Sequence, residues 1–356
     1  MSESTSHPSA RGMTMTLDDP WSVSAHVLPD DLTTEQQCKY LLNFAVLAPS
    51  SHNSQPWLFR VTGKEIALYA DRTRALPVID PDDRELIMSC GASLFHLRAA
   101  LHGFGFSPVV RLFPDFSNRD LLAYIHIGEQ TEPDPYWQRL LGAIKHRHTN
   151  RSPFERRHVP PHEIEALQEA AAAERTHLAA FASKDDRIPL SVLIAEADLI
   201  QSKDKGFRRE LAAWMHPNRT KSRDGIPGFA MGISDWLSNA GPSVVRTFDW
   251  GSGKAAHDQQ LAEGSPALIV LSTASDDAAA WLEAGQALAR ILLQATDFGL
   301  MASFLNQPIE VDDLRPRVAE LAGGPPYPQS ILRLGYGQPV RPTPRRPVRE
   351  VMYRSR

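Results

Sequence analysis

The chain has 356 residues, 42% apolar and 22% charged, which is enough for two modest domains with buried cores. A formal net charge of −4 gives no reason to expect a nucleic-acid or anionic-membrane partner, and no run of eighteen apolar residues exists to cross a bilayer. Two cysteines, Cys38 and Cys90, sit on apolar helical faces and read as buried free thiols of a cytoplasmic protein, and no Cys/His cluster has zinc spacing.

Residues 1–31 read as a flexible tail without the apolar stretch of a secretory signal. From Leu32 onward, Thr33 and Gln36 match a capping box, and Cys38, Leu41, Leu42, Ala45 and Val46 follow at helical spacing. Pro49 ends that helix and leaves Ser50 to Gln55 as a polar loop. Trp57 to Val61 and Ile66 to Ala70, joined across Gly63-Lys64, read as a strand pair. A helix carrying Leu94, Leu97, Leu101 and Phe104 comes next, then a strand at Leu121 to Ile127. A second portion opens on the basic run from Lys145 to Arg157, followed by a helix with Ile164 and Leu167. An irregular region is expected from Lys203 to His257, mixing Trp214, Trp236 and Trp250 with glycine and proline. A buried strand at Ala267 to Thr273, a long helix and a last strand at Ile331 to Leu334 complete the chain.

Two of these helices repeat each other. Residues 90–106, CGASLFHLRAALHGFGF, lie against residues 284–300, AGQALARILLQATDFGL, without a gap. Gly91 then meets Gly285, Leu94 meets Leu288, Phe104 meets Phe298 and Gly105 meets Gly299. Each copy ends on a glycine suited to a left-handed cap, and a strand follows each. The expected organisation is a first half over 32–138 and a second over 139–356, with an insertion around 203–257.

Three polar segments stand out. The first is Ala48-Pro49-Ser50-Ser51-His52-Asn53-Ser54-Gln55-Pro56-Trp57, hydroxyls and amides on a loop stiffened by proline. The second is Arg147-His148-Thr149-Asn150-Arg151, two cations flanking a hydroxyl, a pattern suited to a dianionic phosphate. The third is Pro344-Arg345-Arg346-Pro347 near the end of the chain. These segments resemble the FMN-dependent nitroreductase superfamily, whose A-P-S-x-x-N-x-Q-P-W loop, R-x-S-x-R run and C-terminal basic residue they match. The resemblance spans nearly everything after Leu32.

That resemblance implies an α+β fold of two tandem repeats, each a mainly antiparallel sheet flanked by helices, packed as an intramolecular pseudo-dimer. It implies FMN held by Pro49, Ser50, Ser51, Asn53 and Gln55 from the loop and by Arg147, His148, Thr149 and Arg151 from the basic run. Ser303, Pro308, Ile309, Glu310 and Arg346 are the remaining positions carried over. The first repeat has the A-P-S-x-x-N loop without the arginine run, and the second has the arginines without the loop. One composite flavin site per chain follows, resembling the fused-tandem, Acg-like branch of the superfamily.

The activity so implied is hydride transfer from NAD(P)H through the flavin to a small quinone or nitroaromatic. The redox chemistry belongs to the cofactor, so no catalytic acid, base or metal is named. A monomer should suffice, since both contributors lie in one chain. Trp214, Trp236, Ile226 and Pro227 of the insertion are placed to cover the flavin. An insertion closed over it defines the alternative, a flavin-sequestering protein with little turnover.

Overall fold

The structure is a computed structural model that describes residues 19–234, 238–247 and 251–354. Thr33 Oγ1 accepts from Gln36 N at 3.3 Å while Gln36 Oε1 accepts from Thr33 N at 2.9 Å, so the capping box starts α1 (Thr34–Ala45). β1 (Trp57–Thr62) and β2 (Glu65–Ala70) form an antiparallel hairpin around Gly63, whose φ of +58° glycine adopts without strain. After α2 (Arg84–Gly103), β3 (Val109–Leu112) and β4 (Leu121–His126) complete an antiparallel sheet of order β1-β2-β4-β3. α3 (Pro135–Ala143) then leads to α4 (Pro161–Ala172) and β5 (His177–Phe181).

Between β5 and its neighbour stands a large helical excursion. It contains α5 (Lys184–Lys203), α6 (Lys205–Trp214), the short parallel pair β6 (Met215–His216) and β7 (Ile226–Pro227), α7 (Gly241–Thr247) and α8 (Gly251–Gly264). β8 (Ala267–Thr273), α9 (Ala278–Asp297), β9 (Met301–Phe304), α10 (Gln307–Glu310), α11 (Arg315–Ala322) and β10 (Tyr327–Gly335) follow. The second sheet runs β5-β8-β10-β9, again antiparallel. Each sheet thus places its strands first, second, fourth, third.

The two repeated helices, α2 and α9, pack on each other at the centre. A Cβ on Gly91 would lie 2.3 Å from Leu282 O and 3.0 Å from Gly285 Cα, and one on Gly285 would lie 2.0 Å from Met88 O. Only glycine permits this approach, and the glycines that align in sequence also meet in space. The cores interlock across the crossing: Leu282, Ala289 and Leu293 of α9 enter the core of the first sheet, and Met88 of α2 enters the second. The C-terminal arm returns to the first sheet, where Phe59 N donates to Val351 O and Tyr353 N to Phe59 O, both at 2.7 Å.

Several expectations are corrected. The chain is anchored before Leu32: Val23 is buried, Tyr40 Oη donates to Ser24 O at 2.8 Å and Lys145 Nζ donates to Trp21 O at 2.9 Å. The boundary at 138/139 falls inside α3, a helix begun by the Asp134 cap and Pro135. Lys203 to His257 is largely helical, with Phe207, Leu211, Met215, Ile226 and Val245 forming their own apolar cluster against Leu76 and Ile79. Trp236 and Trp250 lie outside the described residues. Among the described residues, no helix is long and apolar enough to cross a membrane, and no group of His, Cys, Asp and Glu is arranged to hold a metal ion. Cys38 and Cys90 are free and buried, and burial pushes the Cys38 thiol up to about 11.

Candidate functional site

Past Pro49 the chain turns through left-handed backbone at His52 (φ 52°), Asn53 (φ 55°) and Gln55 (φ 53°). Such residues cost about 1–3 kcal/mol each and persist only where their surroundings hold them. Here Ser50 Oγ accepts from Gln55 N at 3.0 Å, and Gln55 Nε2 donates to Arg223 O at 2.8 Å. Asn53 Nδ2 donates to Gly225 O at 3.0 Å and to Pro344 O at 3.1 Å. The loop from the front of the chain is clamped between the helical insertion and the C-terminal arm.

The basic run lies beside it. Thr149 bridges to Ala302, and Asn150 N donates to Ala302 O at 2.9 Å, laying residues 147–151 along the start of β9. Beneath them Arg333, opposite Ser303 in the register of β10 and β9, donates Nη2 to Asn150 O at 2.9 Å and Ser152 O at 3.0 Å. Arg151 donates to Ala230 O of the insertion at 3.0 Å. His52 is half-buried near Arg151, and desolvation first and that cation second push its pKa down to about 4.

Two guanidiniums converge where loop, run and arm meet. Arg147 is 4% exposed and Arg345 7%, and among the described residues neither has a carboxylate partner. Arg345 Nη1 donates to Asn53 Oδ1 at 2.8 Å, Arg147 Nη2 reaches Leu47 O only at 3.5 Å, and both Nε–H groups are buried without an acceptor. Burial pushes Arg147 down to about 10; burial and the neighbouring Arg147 cation push Arg345 down to about 9. His148 falls to about 4 through burial and then the same two arginines. Trp21 covers the group, 5.3 Å from the His148 ring and 5.8 Å from the Arg345 guanidinium carbon. Two buried like charges with unfilled donors are an arrangement an anion would stabilise.

The far wall is acidic. Ser51 Oγ donates to Glu85 Oε2, and Asn306 Nδ2 lies 3.5 Å from Glu85 Oε1. Asn306 precedes α10, which carries Pro308, Ile309 and Glu310; the Ile309 side chain is buried with Leu190, Ile194 and Val318. Glu310 accepts from Gln201 Nε2 at 2.6 Å.

Residues 144–336 match the model of the nitroreductase family. Over 338 residues the chain is 35% identical to the Mycobacterium tuberculosis H37Rv protein Rv3131, a provisionally named NAD(P)H nitroreductase, covering 94% of each chain. It is 30% identical over 336 residues to the provisionally named NAD(P)H nitroreductase acg of the same strain, covering 92% of this chain and 98% of that one. The chain belongs to the nitroreductase family. Among solved structures, the FMN-dependent nitroreductase NfnB from Mycobacterium smegmatis in complex with NADPH is similar at 18% identity and a TM-score of 0.41, covering 62% of this chain and 99% of that one.

Within this family member, the loop, the basic run and the C-terminal arm adjoin, but Arg346 does not take the place expected of it. Arg346, expected beside Arg147, instead donates its backbone N to Gln55 Oε1 at 2.8 Å and its Nη2 to Glu350 O at 2.6 Å, facing a recess lined by Arg74, Asp224 and Glu350. In the extended arm successive side chains point to opposite sides, so Arg345 takes the inward position. Asn53 and Gln55 use their amides to hold neighbouring segments, and Ile309 can offer only backbone. Arg333, Glu85 and Trp21 were not anticipated. Arg333 reads as an ordinary strand residue and Glu85 as part of an acidic helix start, so neither carries a local signal.

Proposed function

We propose that this chain is an FMN-dependent oxidoreductase that passes hydride from NAD(P)H to a small quinone or nitroaromatic acceptor. The observation that carries the reading is the buried Arg147–Arg345 pair with no counter-charge among the described residues, which fits a dianionic phosphate. FMN, when bound, supplies the hydride chemistry. The chain's own residues have separate tasks. Arg147 and Arg345 hold the phosphate, with His148 neutral beside them. Ser51, Thr149 and Ser303 carry hydroxyls on the loop, the basic run and β9, and Pro49, Ser50, Asn53 and Gln55 keep the loop rigid. Arg151 and Arg333 carry positive charge to the other end of the basic run, and Pro308 to Glu310 close the acidic wall.

We further propose that the two halves, divided at α3, act as an internal pseudo-dimer with one composite site. The common strand order of the two sheets and the Gly91–Gly285 contact support it. Sedimentation of the yellow protein should then find flavin on monomers; flavin confined to dimers refutes the arrangement.

A second reading has its own observation. The insertion ties onto the site at three points, through Arg223, Gly225 and Ala230. A lid so attached could bar a nicotinamide and leave a flavin-sequestering protein. Anaerobic mixing of the holoprotein with NADH or NADPH separates the two. Bleaching of the flavin band within seconds supports the oxidoreductase; no bleaching, with dithionite still effective, supports sequestration. Colourless protein that fails to take up FMN removes both.

A further inference from the structure

Arg346 has no task in the reading above, and neither has the recess that it faces. The recess encloses about 600 Å³, an ordinary size for a small-molecule site, yet every residue that lines it is polar. Three separated parts of the chain build it. Arg74 comes from the turn after β2, Lys221 to Asp224 from the link between β6 and β7, and Arg346 and Glu350 from the C-terminal arm. Arg345 and Arg346 leave that arm on opposite sides, so the recess stands back to back with the Arg147–Arg345 pocket.

Four of the lining side chains are cations and two are carboxylates, and both carboxylates are already engaged. Asp224 Oδ2 accepts from Arg74 Nη2 and its Oδ1 from Ser222 Oγ. Glu350 Oε1 accepts from Arg223 Nη1 at 2.6 Å. Arg346 meets carbonyls instead, Gln55 O at 3.2 Å and Glu350 O at 2.6 Å, with Asp71 Oδ2 only at 3.9 Å. Lys221 is exposed and has no acid partner among the described residues. Arg74 and Arg346 form the floor, with side chains 17% and 12% exposed, while Lys221, Arg223 and Glu350 form an open rim. The floor is fixed: Arg74 Nε donates to Ser54 O, and its guanidinium carbon lies 5.4 Å from the Trp214 ring centre. A latch between insertion and arm needs only the two ion pairs. The two further cations leave the recess positive, which suits a dianionic phosphate monoester that arginine can grip with paired N–H donors.

We propose that this recess is a second anion site that takes a phosphate monoester, the 2′-phosphate of NADPH. The proposal rests on the oxidoreductase reading, which brings NAD(P)H to the protein. NADH carries no such group, so the recess makes NADPH the preferred hydride donor. The contact is one of binding alone, and no bond is made or broken there.

Calorimetric titration of the purified holoprotein with adenosine 2′,5′-bisphosphate, adenosine 5′-monophosphate and inorganic phosphate tests the site without turnover. The bisphosphate should bind about 10-fold more tightly than the monophosphate, as one added charge-assisted contact implies. Lys221→Met breaks no ion pair of the folded protein and should abolish that preference, as should Arg223→Met. FMN content should stay at the parent level in both variants. The NADPH/NADH ratio of kcat/KM should fall about 10-fold with the preference. Equal binding of the two nucleotides by the parent, or a preference that survives both variants, overturns the proposal. Binding of inorganic phosphate without the bisphosphate would make the recess a free-phosphate site and overturns the NADPH assignment. Loss of FMN from Lys221→Met would make it the flavin-phosphate site and overturns the assignment too. A bisphosphate preference that the variants lose, without bleaching of the flavin by NADPH, would sink the oxidoreductase reading and leave the phosphate site standing.

Discussion

Replacing Arg345 by methionine separates a ligand-binding charge from a structural one. In the flavin-free protein this guanidinium is buried beside Arg147 with no carboxylate partner among the described residues, and near pH 7 it stays charged. Its fall from 12.5 to about 9 corresponds to a penalty of at most roughly 5 kcal/mol for holding that charge, at ~1.36 kcal/mol per unit of pKa. Against it stand the hydrogen bonds to Asn53 Oδ1 at 2.8 Å, to Thr343 Oγ1 and to Pro344 O at 3.0 Å, each worth about 1.5–3 kcal/mol, so the two sides nearly offset. Arg345→Met should therefore leave the flavin-free protein melting close to the parent temperature. With a phosphate present the balance tips toward arginine. A lost charge-assisted contact costs about 1.5–3 kcal/mol, so FMN affinity should fall about 10- to 150-fold. Riboflavin, which lacks the phosphate, should bind parent and variant alike. The assay is flavin fluorescence quenching with both ligands, alongside thermal melts of stripped protein. Equal losses for FMN and riboflavin, or a stripped variant that melts well below the parent, would refute the phosphate assignment.

Arg151→Ala should also weaken FMN retention, and dialysis of the yellow protein reads it directly; retention at the parent level would remove that residue from the site. Gly285→Ala drives a methyl group to 2.0 Å from Met88 O and should cost about 1–3 kcal/mol or more, whereas Gly142→Ala in α3, with nothing within 4 Å, should be neutral or stabilising; urea midpoints compare them. His52 and His148 both have pKa values lowered to about 4, so the folded state prefers them neutral. Their contribution is fully present above the unfolded value near 6.5 and is lost as pH falls from there toward 4. Stripped protein should melt progressively lower across that window, and His52→Gln should flatten the profile; an unchanged slope would show that the ring is not desolvated.

What could be read from the sequence was whatever rests on local chemistry. The Thr33–Gln36 cap, the stop at Pro49, the turn at Gly63-Lys64 and the long apolar faces of α2 and α9 are set by neighbours within a few residues. The insertion was misread because its signals conflict. α5 carries Pro189 near its start and leaves Ile188, Val192 and Ile200 exposed, which blurs the buried stripe. α8 opens on Gly251 and Gly253 and buries few side chains, so its pattern looks like a loop. For the site, the loop and the basic run were legible as motifs, but choosing between Arg345 and Arg346 was not. Two identical adjacent residues differ only in the phase of an extended arm, and that phase is set by contacts with Asn53 and Gln55, some 290 residues away. Glu85 meets Ser51 and Asn306 only after folding, so no spacing could reveal it.

The same chain shows how it treats a pair of arginines that has a structural task. Arg98 and Arg290, on the two central helices, both reach Glu174: Arg98 Nη1 donates to Oε2 at 2.7 Å and Arg290 Nη1 to Oε1 at 3.0 Å. That carboxylate sits in the short turn after α4 and supplies one acceptor oxygen to each cation, so the cluster is complete without any ligand. Arg147 and Arg345 are more deeply buried, and burial raises the cost of leaving a charge unpaired. A fold selected only for stability would place an acid there or replace the arginines with apolar residues. It keeps both, aims a third segment at them through Asn53, and lays Trp21 over the top. The difference between these two arginine pairs, one closed by the protein and one left open, supports the proposed anion site independently of any motif.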